Sequence, residues 1–347
     1  MRTGNRKAAW TLVALTPVIA ELALGSTPIR MIWLLPLWTP IYGAGVLLIR
    51  EALRRVGGGL GSLLLLGVAY EVVEDGIGLQ ALTSPHLYGA AKLAPRVLGF
   101  NSAYWEANLA YHVVFSVLIP IALTELLFPS HRDRPYLKRT GLIITACCAV
   151  LGVALLRVTV PLSQDPGYSV PVPVLAGYVV AIAVLAVLAL VVLPRRRRAD
   201  PPRAYDPSGR VPGRAALAAI GFAGTAVLAG LVFPVGGADH LLFTHGAWSF
   251  VPMAVAAVGG VALLVLIRRW TLLPCWTDRS ALALMGGALV GHTVVGMLSM
   301  HGEVIDRVGL GAIALLTIGG CALLDRRLAR RAAPAAEVGA GADMFDA

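Results

Sequence analysis

Charged side chains are scarce in this chain. Asp, Glu, Lys and Arg make up 14 % of its 347 residues, against roughly a quarter in an ordinary soluble domain, which excludes a water-soluble fold of this size. Cysteine is thin as well: Cys147, Cys148, Cys275 and Cys321 are the whole complement. None is expected on an oxidising face, so a disulfide framework is excluded and small, soft packing residues remain. A nucleotide-binding loop, a haem motif and an HExxH zinc signature are all missing. With them go a single-chain ATP-driven pump and the metalloproteases built on that motif.

What is present is apolar sequence. Hydrophobic residues account for 57 % of the chain and fall in ten blocks near 8–25, 31–49, 59–82, 104–128, 140–162, 169–194, 214–235, 247–267, 280–300 and 304–324. Each approximates the ~20 residues that span a bilayer core. In lipid the backbone must satisfy its own hydrogen bonds, which favours helices. The expected fold class is therefore all-α, a polytopic membrane helix bundle of about ten transmembrane helices. Trp10, Trp33, Trp105, Trp248, Trp270 and Trp276 lie at or near block ends, where an amphipathic ring suits the headgroup layer; Trp38 lies deeper.

The loops between blocks sort into two sets. Arg2, Arg6 and Lys7, Arg50, Arg54 and Arg55, the 132–139 loop, the 195–214 loop, Arg268, Arg269 and Arg279, and Arg326, Arg327, Arg330 and Arg331 hold 24 of the 29 basic residues. Cytoplasmic loops carry such an excess, so the expected layout is N-in, C-in, in the plasma or inner membrane. The net charge of +10 is spread over these loops without a nucleic-acid-binding motif. It reads as a topology signal and a contact with anionic membrane lipids, and no nucleic acid partner is expected. Arg2, Arg6 and Lys7 ahead of an apolar run have the outline of a secretory signal, but Glu21 near its end argues for a retained first span.

The longest polar interruption, 194–213, contains four consecutive arginines and Pro201, Pro202 and Pro212. It reads as a basic cytoplasmic linker between a first membrane half, 1–193, and a second, 214–331, taken as five spans each. The Gly/Ala-rich tail, 332–347, is expected to be disordered. Halves with an odd number of spans would be inverted repeats of the transporter kind, echoed only by one histidine in the fourth and one in the ninth span, His112 and His292. Gly287 and Gly291, four apart in the ninth span, predict a close helix–helix seam.

Ionisable residues inside apolar blocks carry the functional signal, because each costs roughly 2.5–3.5 kcal/mol at the bilayer centre. The third block reads Ala69-Tyr70-Glu71-Val72-Val73-Glu74-Asp75-Gly76. Glu71, Glu74 and Asp75 stand at i, i+3 and i+4, on one side of a helix. Three ionised carboxylates would repel, so at least one must hold a proton or meet a cation. These acids, with His112 and His292, are the candidate catalytic residues. Glu21, Glu106, Asn108 and Arg157 fall in the same half of the membrane as a candidate substrate or ion pathway, with Arg157 expected to pair with a carboxylate. Outer loops and span ends add His86, Asp239, His240, His245, His301, Glu303, Asp306 and Arg307. Together they predict a polar cavity opening outward. Glu125, near an inner helix end, is expected to reach the headgroups.

Glu74 with Asp75, followed 38 residues later by His112 in Asn108-Leu109-Ala110-Tyr111-His112, resembles the CPBP (CAAX-processing and bacteriocin-immunity) intramembrane proteases. Their pattern is Glu-Glu-x-x-x-Arg, then Phe-x-x-x-His, then a third histidine motif. Here Leu79 stands at the arginine position and Asn108 at the phenylalanine. The resemblance implies a carboxylate that activates water against a peptide or related substrate inside the membrane.

Three classes of function use these residues. An intramembrane hydrolase or acid–base enzyme would act on a lipidic or membrane-embedded substrate, with Glu74 or Glu71 as general base or acid. A proton- or cation-coupled transporter would move a small solute through the same groups. A non-catalytic membrane subunit or immunity factor would use the acids to bind a partner helix. His and carboxylate donors suit a divalent metal such as zinc, but no known ligand spacing assigns one, and the oligomeric state leaves no mark in the sequence.

Overall fold

The structure, a computed structural model, describes residues 3–199, 209–233, 246–299 and 303–342. Ten long helices account for most of them: α1 (3–22), α2 (Ile29–Val56), α3 (60–78), α4 (Ser102–Leu127), α5 (Arg139–Gln164), α6 (172–199), α7 (Arg214–Val232), α8 (Ala247–Thr271), α9 (Asp278–Ser299) and α10 (Val304–Ala342). They coincide with the ten expected blocks. Eight are long and apolar enough to cross a membrane. The other two, α1 and α3, have their apolar runs cut by Arg6, Lys7 and Glu21 in one and by Glu71, Glu74 and Asp75 in the other. The result is an all-α, multi-pass membrane bundle. Helix α10 continues through Ala342, into the segment expected as a tail, where alanine, the best helix former, dominates.

Six of these helices precede the linker and four follow it. The expected division into five and five is therefore corrected to six and four among the described residues: α6 belongs to the first group, its end running into the arginine stretch. An inverted repeat with its boundary at the linker does not fit this count.

Burial separates an inner from an outer layer. Helices α4 and α9 enclose 67 % and 56 % of their apolar stretches, whereas α5, α6, α7, α8 and α10 enclose only 11–17 %. Ile143, Val150, Val179, Val258 and Leu315 project from the outer layer more than half exposed. Water would not tolerate apolar patches on that scale; hydrocarbon does. The two groups of helices meet where Ile19 of α1, Phe115 and Ile119 of α4, Leu289 of α9 and Leu324 of α10 form one buried cluster. Arg132 pairs with Asp278 at 2.8 Å and Arg30 with Asp306, tying them at opposite ends.

Helix α9 reaches this inner position because its small residues admit neighbouring backbones. A Cβ built on Gly287 would lie 1.9 Å from the carbonyl oxygen of Ala218 on α7, so only glycine fits. Gly287→Ala is expected to force α7 and α9 apart and lower stability by about 1–3 kcal/mol. Gly311→Ala on α10, where a Cβ meets nothing within 4 Å, is expected to leave it unchanged. Thermal unfolding of the two purified variants checks this, and equal midpoints would reject the seam.

At the basic end, charge is used differently from the expectation. Arg50 is fully buried, donates from Nε to Glu125 at 3.1 Å, and from its terminal nitrogens to the carbonyls of His131, Arg132 and Arg134 at 3.0–3.2 Å. Its guanidinium lies 3.3 Å from the centre of the Tyr136 ring. Burial pushes the Tyr136 phenol up to about 12, against the pull of the Arg50 charge. Arg54 holds both oxygens of Glu125 at 2.6 and 2.7 Å. Glu51, also fully buried, accepts the backbone N–H groups of Tyr136 and Leu137. Glu125 thus does not reach for headgroups; it is the centre of a clamp that folds the α4–α5 loop back onto α2.

Candidate functional site

Helix α3 delivers the acids through a change of helical form. It is α-helical over Leu60–Glu71 and π-helical over Val72–Gly78, the wider turn that inserts an extra residue and recurs at functional sites. Helix α4 does the same, with a π segment over His112–Leu118. Of the five π segments among the described residues, four carry Glu21, Tyr42, Glu74 with Asp75, and His112. These four meet in one place. Contact between α3 and α4 is allowed by Gly67, where a Cβ would come within 3.2 Å of the Val113 backbone.

In the resulting cluster His112 sits between two carboxylates. Its Nδ1 is 3.4 Å from Glu74 Oε2 and its Nε2 3.4 Å from Asp75 Oδ2, while Ser116 Oγ approaches Nδ1 at 3.1 Å. Tyr104 donates to Asp75 at 3.2 Å. Glu71 stands one turn away with neither carboxylate oxygen hydrogen-bonded, and Glu74 Oε2 and Asp75 Oδ2 are likewise without a hydrogen bond. One ligand atom from each of Glu71, Asp75 and His112 lies within 4.8 Å of the others. Among the residues of the proposed pathway, Glu21 is nearby: it accepts hydrogen bonds at 2.6 Å from Tyr42 and from Thr27, and the Tyr42 ring stacks on His112 at 6.4 Å.

The cluster is closed rather than open. Glu71, Glu74, Asp75 and His112 are each at most 2 % exposed, so the expected outward-opening cavity is not what surrounds them. Rings of Tyr42, Tyr70 and Tyr111 pack around the imidazole at 4.5–6.4 Å. Tyr88, in the loop between α3 and α4, stacks on Tyr104 at 6.3 Å while its own side remains half-exposed. Its φ of +56° is a left-handed conformation that costs a non-glycine residue about 1–3 kcal/mol and recurs at functional sites.

Other candidates are placed elsewhere. His292 stacks face to face on Phe115 at 3.9 Å and on Tyr111 at 5.7 Å, and among the described residues no hydrogen bond or ion pair joins it to the acids. The apolar surround that α9 shares with α4 holds it one aromatic ring away. Asn108, four residues before His112, donates from its side chain to the Tyr104 carbonyl of its own helix, a local back-bond that engages its amide away from the acids. Glu106 has a buried oxygen without a hydrogen-bond partner, and Arg157 has a buried nitrogen, Nη1, in the same state. Among the described residues the expected carboxylate partner of Arg157 is not found; the side chain lines a cavity of about 400 Å³ with Ile77, Gln80 and Val153. His86 and Glu303 are exposed, and Asp306 bonds Arg30. Asp239, His240, His245 and His301 lie outside the described residues.

The tyrosines are the side chains around the cluster that sequence reasoning passed over. Tyr42, Tyr70, Tyr104 and Tyr111 interrupt Leu- and Val-rich runs, and a buried phenol seeks a hydrogen-bond partner. That spacing was the available signal. No curated protein and no solved structure matches the chain. A family model described as an uncharacterized membrane protein family matches residues 11–220, a stretch that contains the whole acid–histidine cluster and exceeds half of the sequence, and the chain belongs to that family.

Proposed function

We propose that this multi-pass protein is an intramembrane acid–base enzyme, a hydrolase of a lipidic or membrane-embedded substrate, seated in the plasma or inner membrane with its basic loops in the cytoplasm. One observation carries the reading: an imidazole held between Glu74 and Asp75, beside an unpartnered Glu71, all buried within an apolar bundle. Packing alone does not account for three acids around one histidine, since each would be removed at a gain.

Glu74 is assigned as general base. It takes a proton from water, whose oxygen attacks the substrate carbonyl, and that proton passes to the leaving group as its bond to the carbonyl breaks. His112 holds Glu74 and Asp75 in place and offsets their charge in a site of low dielectric, where such interactions act most strongly. Asp75 is oriented by Tyr104, whose ring stacks on the half-exposed Tyr88 of the α3–α4 loop. The likeness of Glu74-Asp75 and His112 to the CPBP motifs agrees with hydrolysis.

Purified protein is to be offered a quenched-fluorescence transmembrane peptide and a fluorogenic lipid ester, in open micelles and in sealed vesicles. Turnover in micelles that Glu74→Gln abolishes is the expected result. Activity seen only as solute uptake into sealed vesicles under a pH gradient would replace the enzyme by a transporter, and silence in both formats would reject catalysis.

A further inference from the structure

The carboxylates of α3 lack a sufficient cation. The titratable groups facing Glu71 and Glu74 are each other, Asp75, His112, Tyr42 and Tyr70, and among the described residues no lysine or arginine pairs with them. Three acids therefore share a single imidazole in the buried interior of the bundle.

We propose that Glu71, Asp75 and His112 bind a divalent transition metal ion of the zinc class, an inference that rests on the same site as the hydrolase reading. The geometry gives two independent reasons. First, the 3.4 Å between His112 Nε2 and Asp75 Oδ2 is longer than a normal N–H···O hydrogen bond of about 2.7–3.2 Å. It is the edge expected of a tetrahedron with bonds of about 2.0–2.2 Å, roughly 3.3–3.6 Å. Second, Glu71 is fully buried, neither of its oxygens has a hydrogen bond, and one of them lies within 4.8 Å of ligand atoms of both Asp75 and His112. A carboxylate left in that state is costly unless a cation meets it.

The surroundings of the imidazole fit a ligand. Metal-bound histidines direct the second ring nitrogen to a carboxylate or other acceptor, which fixes the tautomer. Here Nδ1 meets the Ser116 hydroxyl at 3.1 Å, with Glu74 beyond hydrogen-bond range at 3.4 Å. Two carboxylates and one histidine neutralise a dication and leave a coordination position open, the pattern of catalytic rather than structural zinc sites. Bound there, the ion would lower the pKa of a water molecule next to Glu74.

The test measures metal directly. Full-length protein in detergent is stripped with chelator, incubated with zinc or cobalt(II), desalted, and assayed by elemental analysis and by the visible spectrum of the cobalt form. About one ion per chain and a spectrum of tetrahedral cobalt are expected. Asp75→Asn and His112→Gln should fall to background. Glu74→Gln should keep the metal at about 10–100-fold lower affinity. Absence of both ion and spectrum from the wild type would overturn the inference without any variant having to fold, and equal binding by wild type and Asp75→Asn would overturn it too. The two readings separate cleanly: metal without turnover removes the hydrolase alone, and turnover that survives chelator in metal-free protein removes the metal alone.

Discussion

Replacing Arg50 by alanine is expected to cost about 3–5 kcal/mol of stability, the range for breaking a buried ion pair by removing one partner. The side chain is wholly enclosed, and its loss leaves Glu125 with Arg54 alone and strips hydrogen bonds from three loop carbonyls at once. It also empties the space against the Tyr136 ring. Lysine restores the charge but not the fork that reaches several acceptors together, so Arg50→Lys should fall between alanine and wild type. Arg55→Ala is the comparison: its side chain is a third exposed, and Glu51, with which it pairs at 3.1 Å, keeps Arg50 and two backbone N–H groups, so a smaller loss is expected. Thermal or SDS-driven unfolding of the purified proteins reads the order. If Arg50→Ala melts with Arg55→Ala, the clamp is not a structural element.

His112→Ala should lower kcat by about 10²–10⁴-fold, because the acid–base contribution of Glu74, of that usual size, depends on the imidazole that positions it. The imidazole is the cluster's one nitrogen base and the link between Glu74 and Asp75, so removing it disturbs both. Groups that act as a unit are not additive. The double variant His112→Ala with Glu74→Gln is accordingly expected to be about as slow as either single one. A product of the two separate losses would mean that the residues work independently, which the geometry denies. The measurement is kcat on whichever fluorogenic probe the wild type turns over, and helix content by circular dichroism separates a catalytic loss from an unfolded protein.

Much of this arrangement was legible in the residues. Ten apolar blocks translate into ten helices because backbone in lipid has little alternative. Glu71, Glu74, Asp75 and His112 stood out because ionisable groups are rare inside such blocks. The glycine pair on α9 announced its seam. Other parts were hidden for physical reasons. Arg50, Glu51 and Glu125 lie near block ends, where a long side chain has a cheap alternative in the headgroups, and nothing local tells that the 128–138 loop returns to cover them. A π segment differs from an α-helix by one residue in a turn, too little to disturb hydropathy over five to seven positions. The tyrosines that line the site are equally silent in hydropathy, because a phenol ring among Leu and Val changes the average little.

Helix α4 is pinned twice. It offers His112 to the acids of α3 and, 13 residues later, Glu125 to the arginines of α2. Between those pins lies its π segment, which acts as a phase adjuster: each residue of an α-helix advances the azimuth by about 100°, and the surplus residue sets how the two attachments are clocked against each other. Length in this stretch is consequently as constrained as identity. A single-residue deletion there would leave composition and hydropathy nearly untouched and still swing one attachment away from its partner.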